Sequence, residues 1–141
     1  MGKFLALESL CRKGDLEGLM ALISREGAQN IKAVVNETSE QGCSPLFFAC
    51  AHGHAAVVKL LIRLGADLRA TTSLGGHTCL VAACESSAVA VVPLLLERGK
   101  FLVHIATLAG ETPLYVASRA GHALHVPLLV AEGADLNAAD A

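Results

Sequence analysis

Ser44-Pro45-Leu46 recurs twice further along the chain, as Thr78-Cys79-Leu80 and as Thr112-Pro113-Leu114. The step is 34 residues in both cases (78 − 44 and 112 − 78). A glycine that closes an apolar run keeps the same step, at Gly65, Gly99 and Gly133. Self-similarity at a period of this length is typical of stacked repeats, in which each unit contacts only its neighbours. Such a stack offers surfaces for contact, not a deep cleft.

Each repeat is predicted to contain two short helices and a connecting loop. Ser44 suits the N-cap of the first helix, and Pro45 suits its first turn, where no N–H is needed. Gly53 interrupts the helical pattern, and a second helix is predicted from about Ala55 to Leu64. Gly65 then suits the left-handed position that follows a helix. An extended loop, which we call the finger, leads to the next repeat. Because two short helices cannot bury their own apolar face, the repeats must stack.

Several types of marker recur in order between residues 42 and 137. They are Gly42-Cys43-Ser44-Pro45-Leu46-Phe47-Phe48-Ala49-Cys50, Gly53-His54, Gly65-Ala66-Asp67-Leu68, Gly110-Glu111-Thr112-Pro113-Leu114-Tyr115-Val116-Ala117, Gly121-His122 and Gly133-Ala134-Asp135-Leu136-Asn137. With these markers the chain resembles the ankyrin repeat family. The resemblance implies an all-α fold, an ankyrin-repeat solenoid of stacked helix-turn-helix units with extended fingers.

We expect residues 1–141 to form a single ankyrin-repeat domain of four helix pairs. Residues 1–41 are interpreted as a diverged repeat with a lengthened finger, whose roughly four extra residues we place within 29–34. Residues 42–75 form a regular repeat, 76–109 an atypical one, and 110–141 a last repeat that is either truncated or self-capping. Since solenoids need a polar cap at each end, we expect the chain to be a piece of a longer protein.

The atypical repeat departs from the pattern at several positions. Cys79 replaces the usual proline, and Ser87 replaces the usual glycine of the turn between helices. A positive φ at Ser87 would cost about 1 kcal/mol. Pro93 and Pro127 fall at equivalent positions inside second helices, where each is expected to shift or bend the helix start.

The third finger, residues 100–109, is unusually apolar. It alternates Phe101, Val103 and Ile105 with other residues, where the family has a polar finger. Two interpretations stay open at this point. The apolar residues pack between fingers, or they form an exposed contact patch for a partner.

Composition excludes several classes of function. The chain is 53% hydrophobic with a formal net charge of −2, and its 11 Lys and Arg are scattered, so nucleic-acid binding is not expected. No apolar run approaches the roughly 20 residues of a membrane span, so no membrane insertion is expected. The five cysteines are an odd number, and the first residues do not resemble a secretory signal. We therefore expect reduced thiols and a cytoplasmic or nuclear location.

A metal site and a catalytic site are both disfavoured. Cys43, Cys50, His52 and His54 lie close in sequence, but the two cysteines are seven apart, whereas zinc sites usually begin with a tight cysteine pair. No nucleophile elbow, phosphate-binding loop or His-Glu-x-x-His motif is present. We expect no cofactor and no enzyme activity within these residues.

The resemblance implies protein–protein recognition on a concave surface of finger tips and first helices. The partner-binding residues that it implies are Glu40, Gln41, Cys43, Ala51, His52, Leu74, His77, Glu85, Ser86, Leu108, Glu111, Arg119 and Ala120, to which the apolar third finger adds Phe101. Asn137 lies in a context that resembles ankyrin asparagines hydroxylated by an asparaginyl hydroxylase. Alternatively, Asn137 is an ordinary residue that stabilises the turn of its finger.

Three functions follow from this reading. The first is a scaffold or adaptor module that binds another protein, and that is a monomer in isolation. The second is a substrate-targeting arm of a larger enzyme, such as a ubiquitin ligase or kinase, with the chemistry elsewhere. The third is a structural spacer without a partner. The identity of the partner is not encoded in any recognisable motif, because surfaces of this kind are read as a mosaic of side chains.

Overall fold

The computed structural model describes residues 2–87 and 89–134. Nine α-helices lie in this described part. They are α1 (Gly2–Lys13), α2 (Leu16–Glu26), α3 (Ala28–Val34), α4 (Pro45–Ala51), α5 (Ala55–Arg63), α6 (Cys79–Glu85), α7 (Val91–Arg98), α8 (Pro113–Arg119) and α9 (His125–Ala131). A 3₁₀ helix spans Lys100–His104. The expected all-α fold is confirmed.

The helices form two stacked layers. In the first-helix layer α1, α4, α6 and α8 pack side by side, and in the second-helix layer α2, α5, α7 and α9 do the same. The core lies between the layers, and every helix pair contributes at least one fully buried leucine to it: Leu7, Leu19, Leu46, Leu61, Leu80, Leu95 and Leu129. Each helix pair thus buries its apolar face against the next pair, as a stack of repeats requires.

The recurring triplet begins each first helix through the same local bond. Ser44 Oγ accepts a hydrogen bond from the Phe47 N–H at 3.2 Å. Thr78 and Thr112 accept the equivalent bonds, each also at 3.2 Å. An N-cap bond of this kind contributes about 1 kcal/mol. The 34-residue period is therefore the spacing of three identical helix starts.

The two prolines of the second helices shift the helix starts, as predicted. By the repeat period, α7 and α9 would begin at 89 and 123, since α5 begins at Ala55 (55 + 34 and 55 + 68). They begin two residues later, at Val91 and His125. Pro93 and Pro127 thereby occupy the third helical position, where an N–H would have no acceptor within the helix.

The turn after α6 avoids the strain considered for Ser87. No non-glycine residue in the described ranges has a positive φ. Instead, α6 ends at Glu85 and Ser86 is extended, with φ −86° and ψ 150°. The equivalent turn of the preceding repeat uses Gly53 at φ 73°. The chain therefore takes a different path through this turn, and the cost of a left-handed serine does not arise.

The first finger contains a helix. The helix is α3, in which Ile31 is fully buried, and Val35 just beyond it is 1% exposed. It follows α1 and α2, which form the helix pair of the first repeat. The lengthened first finger therefore contains a helix, because burying Ile31 and Val35 favours helical structure here.

The third finger also differs from the extended segment that its alternating pattern indicated. Residues Lys100–His104 form the 3₁₀ helix, which buries Leu102 and Val103. Phe101 is only half-buried, and the Arg69 guanidinium lies over its ring at 3.9 Å from the centroid. A turn with three residues per revolution brings consecutive residues 102 and 103 inward. Core packing therefore accounts for the most apolar part of this finger.

Among the described residues, no helix has both the length and the apolar character needed to cross a bilayer.

Candidate functional site

The tips of successive fingers are joined by main-chain hydrogen bonds. The Ser73 N–H donates to the Gln41 carbonyl at 2.9 Å, and the Leu108 N–H donates to the Gly75 carbonyl at 2.9 Å. We call residues 39–43, 72–77 and 107–111 the tip row. Because each tip is tied to its neighbour, the side chains of the tip row are held at fixed spacings.

Each tip of the tip row is also closed internally. The Thr72 N–H donates to the His77 carbonyl at 3.1 Å, and the Thr107 N–H donates to the Glu111 carbonyl at 2.9 Å. The Thr72 hydroxyl accepts from the His77 N–H at 3.2 Å. These repeated bonds make the tips rigid turns, so little conformational entropy is lost when a partner binds them.

Two leucines of the tip row project into solvent. Leu74 is 81% exposed and Leu108 is 76% exposed. A Cβ on Gly76, which has φ +65°, would lie 2.8 Å from the Leu108 Cγ, so the leucine sits directly over this glycine. Burying a leucine side chain fully contributes about 1.5–3 kcal/mol, and the monomer does not gain this free energy from its exposed leucines. They are available to be buried by a partner.

An open depression of about 380 Å³ lies beside Leu74. Its lining residues are Gln41, Cys43, Phe47, Thr72, Leu74, Gly75 and His77. A second hollow of about 430 Å³ lies at the amino-terminal end, lined by Phe4, Leu5, Glu8, Arg12, Thr38, Ser39, Glu40 and Gln41. Gln41 belongs to both, so the two hollows adjoin.

Arg119 lies close to two acidic residues that were predicted to contact a partner. Its guanidinium pairs with Glu111 and lies 3.8 Å from a Glu85 carboxylate oxygen, with the Tyr115 ring centroid 5.7 Å away. Arg119 and Glu85 are each about half exposed, so these pairs add little to stability. Their effect is to hold α6, α8 and the intervening finger tip in one charged cluster.

Histidines of the inter-helix turns, and one at the start of α9, join neighbouring repeats. His54 Nε2 lies 2.9 Å from the Arg12 carbonyl oxygen, and His122 Nε2 lies 3.0 Å from that of Glu85. His125 is fully buried, with Nε2 at 2.8 Å from the Ser86 carbonyl oxygen. Each of these rings is held by the end of the preceding first helix or its turn. In residues 2–87 and 89–134, no three His, Cys, Asp or Glu side chains are grouped so as to hold a metal ion.

All five cysteines are free and buried. Burial raises the pKa of the Cys11 thiol to about 12, and burial, with Glu85 as a smaller cause, raises that of Cys84 to about 12. The pKa of Cys50 is likewise raised by burial, with a further contribution from the neighbouring Cys79 thiol. Cys43 is 7% exposed and lines the depression beside Leu74, so only a small part of its side chain reaches the surface there.

These positions predict the thiol chemistry. We expect Cys11, Cys50 and Cys84 to react slowly with a disulfide reagent at pH 8 in the native protein, because only the thiolate reacts and burial keeps them protonated. Cys43 has the largest exposed fraction of the five and should react first. Peptide mass spectrometry of samples quenched at successive times measures the order of reaction with the disulfide reagent, and denaturant should make all five react alike. Fast native labelling of Cys50 would contradict the buried position.

The other predicted contact residues fall into two groups. The exposed ones are Glu40, Gln41, His52, Leu74, Glu85, Leu108, Arg119 and Ala120. The half-buried ones are Ala51, His77, Ser86, Phe101 and Glu111. Asn137 lies outside the described residues. Whether these residues contact a partner stays a prediction.

Sequence reasoning missed several residues of this surface. Phe47 lines the depression and Tyr115 faces Arg119. A signal was present, because both aromatics directly follow the leucine of the recurring triplet. Phe4 and Leu5 line the amino-terminal hollow, and no pattern in their segment distinguishes them from ordinary helix residues.

A family model matches most of this chain, and known proteins resemble about half of it. A family model described as "Ankyrin repeats (3 copies)" matches residues 5–105 and 71–140. The human "Ankyrin repeat family A protein 2" is 38% identical over 63 residues, which are 45% of this chain and 18% of that protein. "NF-kappa-B inhibitor alpha" of Sus scrofa is 33% identical over 64 residues, 45% of this chain and 20% of that protein. The human "Ankyrin repeat domain-containing protein SOWAHB" is 37% identical over 73 residues, 51% of this chain and 9% of that protein. The matches span a fifth or less of each of these relatives.

Proposed function

Because this chain belongs to the ankyrin repeat family, whose repeats are in general protein–protein interaction modules, we propose that it is a scaffold or adaptor module that captures a partner protein on its concave surface. The observation that carries this proposal is the tip row. Main-chain bonds fix its turns, while Leu74 and Leu108 remain exposed at equivalent positions one repeat apart.

The energetics of interfaces support this choice of surface. Binding free energy concentrates in a few side chains that become fully desolvated. Leu74 and Leu108 can supply such anchors, and the depression beside Leu74 can receive an apolar side chain of the partner. The Glu85–Arg119–Glu111 cluster adds charges that discriminate between partners more than they add affinity.

A second candidate is a targeting arm of a larger enzyme. It is favoured by the lengths of the relatives, since the matched segments make up a fifth or less of each of them. Ankyrin repeats are typically non-catalytic, so in this case too the chain would supply recognition. In either case we infer a cytoplasmic or nuclear module that is monomeric in isolation and uses no cofactor. The five free thiols support that location.

Changing Leu74 and Leu108 together to Ser tests the proposal. We expect partner binding to weaken by about 1 kcal/mol or more, roughly fivefold in Kd. The melting temperature should stay nearly unchanged, because exposed side chains contribute little to the core. Crosslinking mass spectrometry first identifies the bound partner. Calorimetry with the purified partner then measures Kd for the unchanged protein and for the Leu74→Ser/Leu108→Ser protein.

Leu124→Ser is the matched control, because Leu124 is also 67% exposed but lies in the turn before α9, away from the tip row. It should leave Kd unchanged. An equal loss of affinity in this control, or unchanged affinity in the Leu74→Ser/Leu108→Ser protein, would count against the tip row as the binding surface.

A further inference from the structure

A groove runs between α5 and α7 in the second-helix layer, away from the tip row. Its volume is about 240 Å³, and its lining residues are Lys59, Ile62, Arg63, Leu94, Glu97 and Arg98. Residues 59, 62 and 63 of α5 form one wall, and residues 94, 97 and 98 of α7 form the other. Both sets have the spacing i, i+3 and i+4, which places three residues on one face of a helix over a single turn. The groove is therefore short and built entirely from regular helix.

The groove combines an apolar floor with charged walls. Ile62 and Leu94 are half-buried and pack against the core. Lys59, Arg63 and Arg98 are exposed, as is Glu97. Three cations against one carboxylate leave a local charge of +2, whereas the whole chain carries −2. The groove is thus a local positive site on an acidic molecule.

The three cations of the groove have no anionic partner in the described part of the chain. Arg12, Arg25, Lys100 and Arg119 are each within 4.0 Å of a carboxylate oxygen, but no such pair involves Lys59, Arg63 or Arg98. Arg63 and Arg98 lie in the last turns of their helices, where a cation interacts favourably with the helix dipole. The helix dipole does not explain the position of Lys59. It also does not explain why all three cations lie together beside Ile62 and Leu94.

We propose that this groove is a second binding site, independent of the tip row, for an acidic segment of a protein. An apolar side chain of the segment would lie on Ile62 and Leu94, and flanking carboxylates would face Lys59, Arg63 and Arg98. Arginine forks pair with carboxylates through two parallel hydrogen bonds. The apolar floor favours a peptide over a free phosphate or a nucleic acid, since neither of those carries an apolar side chain to cover it. The short wall matches a few residues of peptide.

The test is an NMR titration of the ¹⁵N-labelled chain with a short synthetic peptide. The peptide has a central leucine with two glutamates on each side and a capping glycine at each end. We expect shift changes concentrated at residues 59–63 and 94–98, and binding that weakens as salt is added. A peptide with serine in place of leucine should bind more weakly, and one with lysines in place of the glutamates should not bind. Equal binding of the lysine peptide, or shifts centred on the tip row, would overturn the proposal.

Charge reversal supplies the matched pair of variants. Arg63→Glu/Arg98→Glu should weaken peptide binding by about tenfold or more. Lys13→Glu/Lys32→Glu changes the net charge equally at exposed positions outside the groove and should change binding far less. If the first variant does not fold, as judged by circular dichroism, Arg63→Gln/Arg98→Gln replaces it and should also weaken binding. Equal effects of the two reversals would overturn the proposal, because they would indicate a long-range charge effect.

Two further arms separate the remaining explanations. Inorganic phosphate at the peptide's concentration should not reproduce the shifts, and if it does, the groove is a simple anion site and the proposal fails. Leu74→Ser/Leu108→Ser should leave binding of the acidic peptide unchanged, so that failure of the groove and failure of the tip row give different results. Loss of peptide binding in that variant would contradict the independence of the two sites.

Discussion

Replacing Leu61 by Ala is expected to lower the free energy of unfolding by about 2–5 kcal/mol. Leu61 is fully buried on the inner face of α5, beside Val57 and Val58 of the same helix. Truncation removes buried methyl groups and leaves a cavity that the packed helices around it can close only in part. Urea unfolding followed by circular dichroism measures the change. In a stack of repeats the loss also weakens the interfaces with both neighbours.

Leu74→Ala is the matched control for this change. It removes the same atoms from a side chain that is 81% exposed, and is expected to cost less than about 0.5 kcal/mol. A cost of the same small size for Leu61→Ala would show that the second helix of this repeat is rotated relative to the core.

Leu102→Ala is expected to cost about 2–5 kcal/mol as well. Leu102 is fully buried in the 3₁₀ helix of the third finger. Its Cδ1 lies 2.9 Å from where a Cβ on Gly99 would stand, and the Leu68 Cδ1 lies 3.1 Å from the same point. Leu102 therefore fills the space above this glycine together with the leucine of the preceding finger. Thermal or urea unfolding gives the measurement.

Leu108→Ala serves as its control, since Leu108 follows in the same finger but is 76% exposed. We expect it to change stability by less than about 0.5 kcal/mol. If the two substitutions cost the same small amount, the third finger is not anchored in the core. An exposed apolar patch would then again be the better explanation of its sequence.

The candidate site was only partly predictable. The family resemblance implied Leu74 and Leu108 as contact residues, and the structure shows both of them exposed at finger tips. The resemblance also implied Cys43, whose side chain is mostly buried and lines the depression. The basic groove could not be read from the sequence, because Lys59 and Arg98 are 39 residues apart (98 − 59) and meet only when α5 packs on α7.

The sequence alone determined the repeat architecture, because its signals act over three or four residues. An N-cap needs a hydroxyl three residues before the N–H that it accepts from, and a left-handed turn needs a glycine at one position. N-caps and left-handed turns form wherever the residues that favour them occur. Because those residues recur every 34 positions, the helices and turns that they specify recur with the same period. The delayed starts of α7 and α9 follow from Pro93 and Pro127 in the same local way.

Only the tertiary structure decided which way the ambiguous apolar segments turn. The alternation of Phe101, Val103 and Ile105 is compatible with an exposed strand-like finger. The space between α7 and α8 instead accepts Leu102 and Val103, and the chain winds into a 3₁₀ helix to bury them. Residues 28–34 form a helix for the same reason, since Ile31 reaches the core. Burial depends on what a distant part of the chain places alongside, and no local pattern contains that information.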